Sequence, residues 1–408
     1  MKSIILSMFC LIAFSFTGCE KQDSGEVSKD INLTAEQKQI VASSNSFGLN
    51  IFKQVVSNAK DGENVFISPL SVSMALSMLY NGAATQTKTE LKEGLGYVGL
   101  SDTEVNESNR DLIKALIDAD PKVAMEIANS IWYKNTFAVE PAFLAVNKDY
   151  LSADVRSAKF DAATKDLINS WVADKTHQKI KTIVDQIPDN VVMYLINAIY
   201  FKGVWKYQFE SKNTKPGYFY LTGGKTKQVD FMSQEGSFDY YQNDLFTAID
   251  LPYGKGNYSM MVMVPKAGKT YKDIVAALNT QNWSTWTNSL GKMKVKVYLP
   301  KFRFSFKKEL NDDLTAMGMP TMFTDFADLS GISIANSLKV SKVMHKSFVE
   351  VNEEGTEAAA VTSVEIELTS IPETTVFNAD KPFVFIIHEK STKTFLFMGV
   401  VNEPLSEN

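Results

Sequence analysis

Cysteine is nearly absent from this chain: 408 residues carry only Cys10 and Cys19. Both lie near the N-terminus, so no disulfide can cross-link the rest, and stability has to come from burial of apolar surface, which a chain of this size can supply. Histidine is also sparse, with only His177, His345 and His388, none in a metal-ligand spacing. No Gly-x-Ser-x-Gly elbow and no Gly-rich phosphate loop occurs. Hydrolase chemistry therefore finds no residues to act with, and neither a metal nor a cofactor is expected. A net charge of −5 is too small and of the wrong sign to attract nucleic acid or an anionic membrane surface. No Gly/Ser- or Pro-rich linker, low-complexity tract or repeat period divides the chain after residue 36, which argues for one domain over residues 36–408 despite the length. One absence is local. Between Gly355 and Lys381 there is no Lys or Arg, so a trypsin-like protease has no good cut site there.

What is present begins at the N-terminus. Lys2 precedes an apolar run from Ile4 to Phe16, too short to span a bilayer as a helix and typical of a secretory signal. The run ends in Phe16-Thr17-Gly18-Cys19, which resembles a bacterial lipobox, with Phe standing where Leu is usual. Residues 1–18 then form a signal peptide, and Cys19 carries lipid at the cell envelope. Outer-membrane and surface-exposed placement are both consistent with that anchor, and lipid is the sole expected membrane contact. Residues 19–35 read as a flexible tether, polar from Glu20 to Leu33.

Thr34 followed by Gln37 predicts a capped helix reaching about Asn58. Its apolar spacing at Ile40, Phe47, Ile51, Phe52, Val55 and Val56 is helical. Pro69 fits the first turn of a helix that stops near Gly82, and Thr87 with Glu90 suggests another capping box. Alternating runs at Val123–Tyr133, Met260–Val264 and Val295–Tyr298 predict strands. Helices dominate the first half and strands the second, an α+β arrangement.

The segment from Glu353 to Pro372 carries the most information. Thr356, Ala358, Ala360, Thr362, Val364, Ile366 and Leu368 form one alternating row, small at first and then aliphatic. Glu357, Ala359, Val361, Ser363, Glu365 and Glu367 form the other row, mostly polar. That is the pattern of a strand buried on one face, yet Gly355 and Ser370-Ile371-Pro372 are loop signals. The segment reads as a strand that also lives as an exposed loop.

In that position the pattern resembles the reactive-centre loop of the serpins, and the resemblance runs over about residues 36–405. Asn64–Ser71, Asn197–Trp205, Leu299–Phe302, Ala327–Gly331, His345-Lys346 and Phe377–Ile387 fall in the family's order with it. The likeness is to bacterial lipoprotein members. It implies three β-sheets surrounded by about nine α-helices, with a reactive-centre loop at about 354–376. It also implies suicide inhibition: a target protease forms an acyl-enzyme on the loop, and the cut loop inserts as a new central strand.

The resemblance assigns a hinge to Glu353, Gly355, Thr356, Ala358, Ala359, Ala360 and Thr362, whose small side chains have little to desolvate on insertion. Lys301 and Trp205 tether the loop's start, and Ser68, Ser71, Asn197 and His345 form a polar cluster under the sheet. Register places the bait bond at Thr369-Ser370, which suits elastase-like serine proteases. Leu368 is an alternative bait for chymotrypsin-like or papain-like cysteine proteases, and Glu367 for glutamyl-specific ones. The protein is expected to act as a monomer and as no enzyme. The region Glu104–Asp120, where the family can carry a heparin-binding helix, is too acidic for polyanion activation. A non-inhibitory binding protein is the rival reading.

Overall fold

The computed structural model describes residues 30–356 and 374–405. Among them are nine helices: α1 (Ala35–Ser57), α2 (Pro69–Tyr80), α3 (Thr85–Gly94), α4 (Asp102–Asp118), α5 (Pro141–Leu151), α6 (Ala162–Lys175), α7 (Tyr271–Ala277), α8 (Thr280–Asn288) and α9 (Asn311–Ala316). The strands are β1 (Val65–Ile67), β2 (Val123–Lys134), β3 (Asp154–Ala158), β4 (Met193–Val204), β5 (Lys215–Tyr220), β6 (Thr226–Gln242), β7 (Phe246–Pro252) and β8 (Tyr258–Pro265). They continue with β9 (Gly291–Pro300), β10 (Phe302–Glu309), β11 (Met344–Val351), β12 (Gly355–Thr356), β13 (Thr375–Asn378), β14 (Phe383–Glu389) and β15 (Phe395–Val401).

Helix α1 begins where the sequence places it. The Thr34 side chain accepts from the Gln37 amide and Gln37 returns a bond to the Thr34 amide, satisfying two of the free N–H groups of the first turn. The tether expected through residue 35 ends earlier. The Ile31 amide donates to Ser391 Oγ at 3.0 Å, and Ile31 and Leu33 pack on the core. At α3 the expected capping box does not form: the N-cap is Ala84, with no side-chain bond. Thr87 Oγ1 instead accepts from the Asp328 amide, and Glu90 accepts from the amide and hydroxyl of Thr321. Both side chains are used to hold the segment after α9 against the helix.

Hydrogen bonding joins the strands into two ladders. One runs β10-β11-β12-β4-β2-β3. The other runs β1-β15-β14-β8-β7-β6-β9-β13, with β5 added on β6. The three expected sheets appear as two ladders because β6, 17 residues long, pairs with β7 through Asp239–Gln242 and also with β5 and β9. It thereby makes one continuous path of what would be two sheets.

Strands β8, β14 and β15 are buried at every position and read as nearly continuous apolar runs, broken by Ser259 and by His388-Glu389 at the end of β14, because both faces are covered. Gly399 lies opposite both Phe66 and Phe385, in the strands on either side. A Cβ there would sit 2.5 Å from the Phe385 ring and 2.9 Å from the Val65 carbonyl. Its absence lets Phe66 stack on Phe397 and Phe385 at 5.0 and 5.6 Å. Gly399→Ala is expected to destabilise the fold by about 3 kcal/mol, the upper range for overpacking a filled core. A denaturant midpoint within error of the parent would contradict this packing.

Candidate functional site

After β11 the chain reverses through a two-residue loop, Glu353-Glu354. Asn352 and Gly355 exchange backbone bonds at 3.0 and 3.3 Å, and Asn352 Oδ1 accepts from the amides of Glu354 and Gly355. Such an Asn-led turn holds its own backbone. Gly355 has φ +151°, and a Cβ on it would lie 2.1 Å from the Gly203 carbonyl oxygen, so no other residue fits. Beyond the turn, Thr356 pairs with Val351 of β11 on one side and Gly203 of β4 on the other.

Gly355-Thr356 is therefore a strand two residues long between β4 and β11. Among the described residues no ladder joins β4 directly to β11. At this level the two strands stand about 10 Å apart, two strand spacings. A narrow space below Thr356 is lined by Ile199, Tyr200 and Phe201 of β4 and by Phe348 and Glu350 of β11. Thr176, Lys179 and Ile180, from the connection between α6 and β4, lie over it. That connection is held from both sides. His177 Nε2 lies 2.7 Å from Glu126 Oε1 of β2, with its ring 4.2 Å from the Tyr200 ring. Lys179 Nζ lies 3.5 Å from Glu350 Oε2 and 5.2 Å from the centre of the Phe348 ring.

The turn is anchored through its carbonyls and the Glu353 carboxylate. The carbonyls of Glu353 and Glu354 accept from the amides of Phe209 and Trp205, and the Trp205 indole N–H donates to the Asn352 carbonyl at 3.0 Å. Glu353 pairs with Lys301 at 2.9 Å and accepts from the Thr214 hydroxyl at 2.8 Å. Burial raises the Glu353 carboxyl, but Lys301, its own backbone and Thr214 outweigh this and leave it below the ordinary carboxylate range. Beneath, Tyr253 stacks on Trp205 with centroids 4.4 Å apart, and its hydroxyl lies 2.6 Å from Thr356 Oγ1. Sequence reasoning missed Tyr253, Thr214 and Asn352. Tyr253 ends a strand run 103 residues away from its partner, and a single sequence carries no signal linking the two.

Lower in the molecule, Ser68 is the N-cap of α2 and accepts from the Ser71 amide. Its own amide donates to His345 Nε2 at 3.2 Å, and its hydroxyl donates to the Leu396 carbonyl at 2.8 Å. Three elements, α2, β11 and β15, thus meet at one serine. Ser347 adds a bond to the Phe66 carbonyl. Asn197, assigned to the same polar cluster, is held by a residue outside that set. It sits opposite Asn129 in the β2–β4 register and donates to Asn129 Oδ1 at 2.8 Å. Ala358, Ala359, Ala360, Thr362, Glu367, Leu368, Thr369, Ser370 and Cys19 lie outside the described residues.

Because His345 accepts at Nε2, its ring is neutral, with the proton on Nδ1. Burial pushes its pKa down to about 4. The unfolded chain binds this proton near the ordinary value of about 6.5 and the folded chain only near 4, so the fold loses stability as pH falls between them. Full protonation of the unfolded state costs about 3 kcal/mol at that one site. His345→Asn is expected to flatten the dependence between neutral pH and about pH 4.5 by most of that amount, as read from denaturant titrations. An unchanged slope would rule out His345 as its source.

Comparison with known proteins accords with this geometry. The family model described as "Serpin (serine protease inhibitor)" matches residues 42–404. Iripin-8 from Ixodes ricinus is 33% identical over 385 residues, covering 91% of this chain and 95% of that protein. The crystal structure of tengpin, a thermophilic serpin in its native state, superposes with a TM-score of 0.83 at 32% identity, covering 92% of this chain and 96% of tengpin. Human thyroxine-binding globulin superposes at 0.82 and 29% identity, covering 91% and 100%. The chain belongs to the serpin family.

Proposed function

We propose that the protein is an inhibitory serpin that traps a protease as its acyl-enzyme. The observation that carries this reading is the strand Gly355-Thr356, seated between β4 and β11 directly before the bait segment. In the proposed sequence the protease nucleophile attacks the Thr369 carbonyl carbon, an ester forms, and the Ser370 amine departs. The released segment then extends the short strand down the gap. From Glu353 to Thr369 it reaches roughly 50 Å at about 3.3 Å per residue, enough to carry a bound enzyme to the opposite pole. Burial of Val364, Ile366 and Leu368 with the new backbone bonds contributes on the order of 10–20 kcal/mol.

Thr369 suits a small primary pocket of the elastase type, while Leu368 and Glu367 would redirect the bait. The lipobox-like Phe16-Thr17-Gly18-Cys19 supports lipid anchoring at a bacterial envelope, with the domain displayed as a shield against proteases. Protease shaving of whole cells is expected to release the domain if the anchor faces outward.

The reading is tested by mixing the protein with a neutrophil-type elastase. The expected result is a complex that survives denaturing electrophoresis, together with a released peptide beginning at Ser370. A peptide beginning at Thr369 moves the bait to Leu368. Cleavage without a complex across elastase-, chymotrypsin- and papain-like enzymes would refute trapping.

A second reading, a non-inhibitory binding protein, has one observation in its favour. A cavity of about 380 Å³ opens between Ile31–Leu33, α1, α8 and Ser391–Phe395. Trp283 lines it, with its indole N–H buried and without a hydrogen-bond partner. One structural neighbour, a thyroxine-binding globulin, was solved in complex with thyroxine. On this reading, planar aromatic acids are expected to raise the melting temperature and quench Trp283 fluorescence. No shift across such a panel leaves the cavity without a role in function.

A further inference from the structure

We propose that Tyr253 is a positioning residue for strand insertion, the receptor that holds the hinge residue Thr356 docked in the gap before any cleavage. This rests on the inhibitory reading and deepens it. Two hydroxyls meet at 2.6 Å in a buried place, Tyr253 fully covered and Thr356 6% exposed. Tyr253 cannot follow Thr356 out, because its ring is stacked on Trp205 and edge-on to Phe201, and its backbone is bridged to Trp205. Gly203 leaves the room for it: a Cβ there would lie 2.7 Å from the Tyr253 ring. The hydroxyl of Thr356 is thus the part that can leave, and that of Tyr253 the part that stays.

Forming the first paired residues of a strand is its costly step, since backbone freedom is lost before many bonds are gained. Here that step is already complete, with Thr356 paired on both sides. After cleavage, insertion proceeds by elongation, each residue adding bonds to both neighbours. Speed decides the outcome, because a slow insertion lets water hydrolyse the acyl-enzyme and release the protease. Removing either hydroxyl alone leaves the other buried without a partner, which favours withdrawal of the hinge to water. Removing both leaves nothing unpaired.

The test is the set Tyr253→Phe, Thr356→Val, Thr356→Ser and the double variant Y253F/T356V. Insertion is followed in the full-length protein by stopped-flow fluorescence of Trp205, and by the rise in melting temperature after bait-segment cleavage. Each single hydroxyl deletion is expected to slow insertion about tenfold, the weight of one buried hydrogen bond, and to raise the number of inhibitor molecules consumed per protease trapped. Thr356→Ser keeps the hydroxyl and keeps the parent rate. The double variant recovers most of the loss, which a packing role for Tyr253 would not produce. Parent-like rates in both single variants, or losses that add in the double variant, would overturn the assignment. If the parent protein gains no stability on cleavage, the inhibitory reading itself fails and this inference with it.

Discussion

The separation of β4 from β11, bridged among the described residues by Gly355-Thr356, is the constraint on which the rest of the molecule depends. In an ordinary sheet, adjacent edges satisfy one another's N–H and C=O groups. Here, among the described residues, β4 and β11 are joined only through Gly355-Thr356. On the proposed mechanism, every further residue placed between them would gain bonds on both sides, and that pairing is the source of the free energy of insertion. The surrounding interactions are arranged about the space below Thr356. The α6–β4 connection lies over it, the Ser68 node lies behind it, and the anchored turn caps its upper end.

The two glycines at the upper end do different work. Gly355 permits the reversal and the close approach to the Gly203 carbonyl, while Gly203 makes room for the Tyr253 ring. With either side chain present, the chain could not both turn and fall between the strands. Glu353 fixes where the turn occurs, since its ammonium partner Lys301 follows directly on β9, which is held in its own ladder. The pair is partly exposed and contributes little to stability. Its value is positional: it sets which residue after the turn first falls into the gap.

Local rules carried the sequence reading a long way, and failed where side chains serve distant partners. The Thr34–Gln37 box and the alternating strands need only near neighbours, so they were legible. Thr87 and Glu90 fit the same capping pattern at the same spacing, with Glu in place of Gln, yet they bind Asp328 and Thr321, more than 230 residues away. Spacing alone cannot distinguish the two uses. Asn197 could be assigned to β4, but its pairing with Asn129 is a matter of register, which alternation leaves open by any even shift. Lys301, Glu353 and Trp205 were reached through family resemblance, and the structure places all three at the turn. Tyr253 belongs to that same place and had no signature of its own.

The strengths of the contacts around the gap are graded by position. Over its open side, the His177–Glu126 and Lys179–Glu350 pairs are between a fifth and a half exposed, the kind of contact worth well under about 1 kcal/mol. Water can replace either at little cost, whereas Ile180 and Val184 of the same connection are buried in an apolar cluster with Trp132 and Ile196, and the Thr182 carbonyl accepts from Lys346. Behind the gap, Ser68, His345 and Ser347 are buried, and breaking their bonds would strand polar groups away from water. Under the proposed insertion, an arriving strand would displace the first set and leave the second largely in place. A sheet that opened from behind would lose its tie to α2 and β15, and with it the frame against which a new strand could pair. On the proposed mechanism, insertion therefore has to exchange the exposed ion pairs while the buried serine node holds, beginning at the end where Thr356 is already seated.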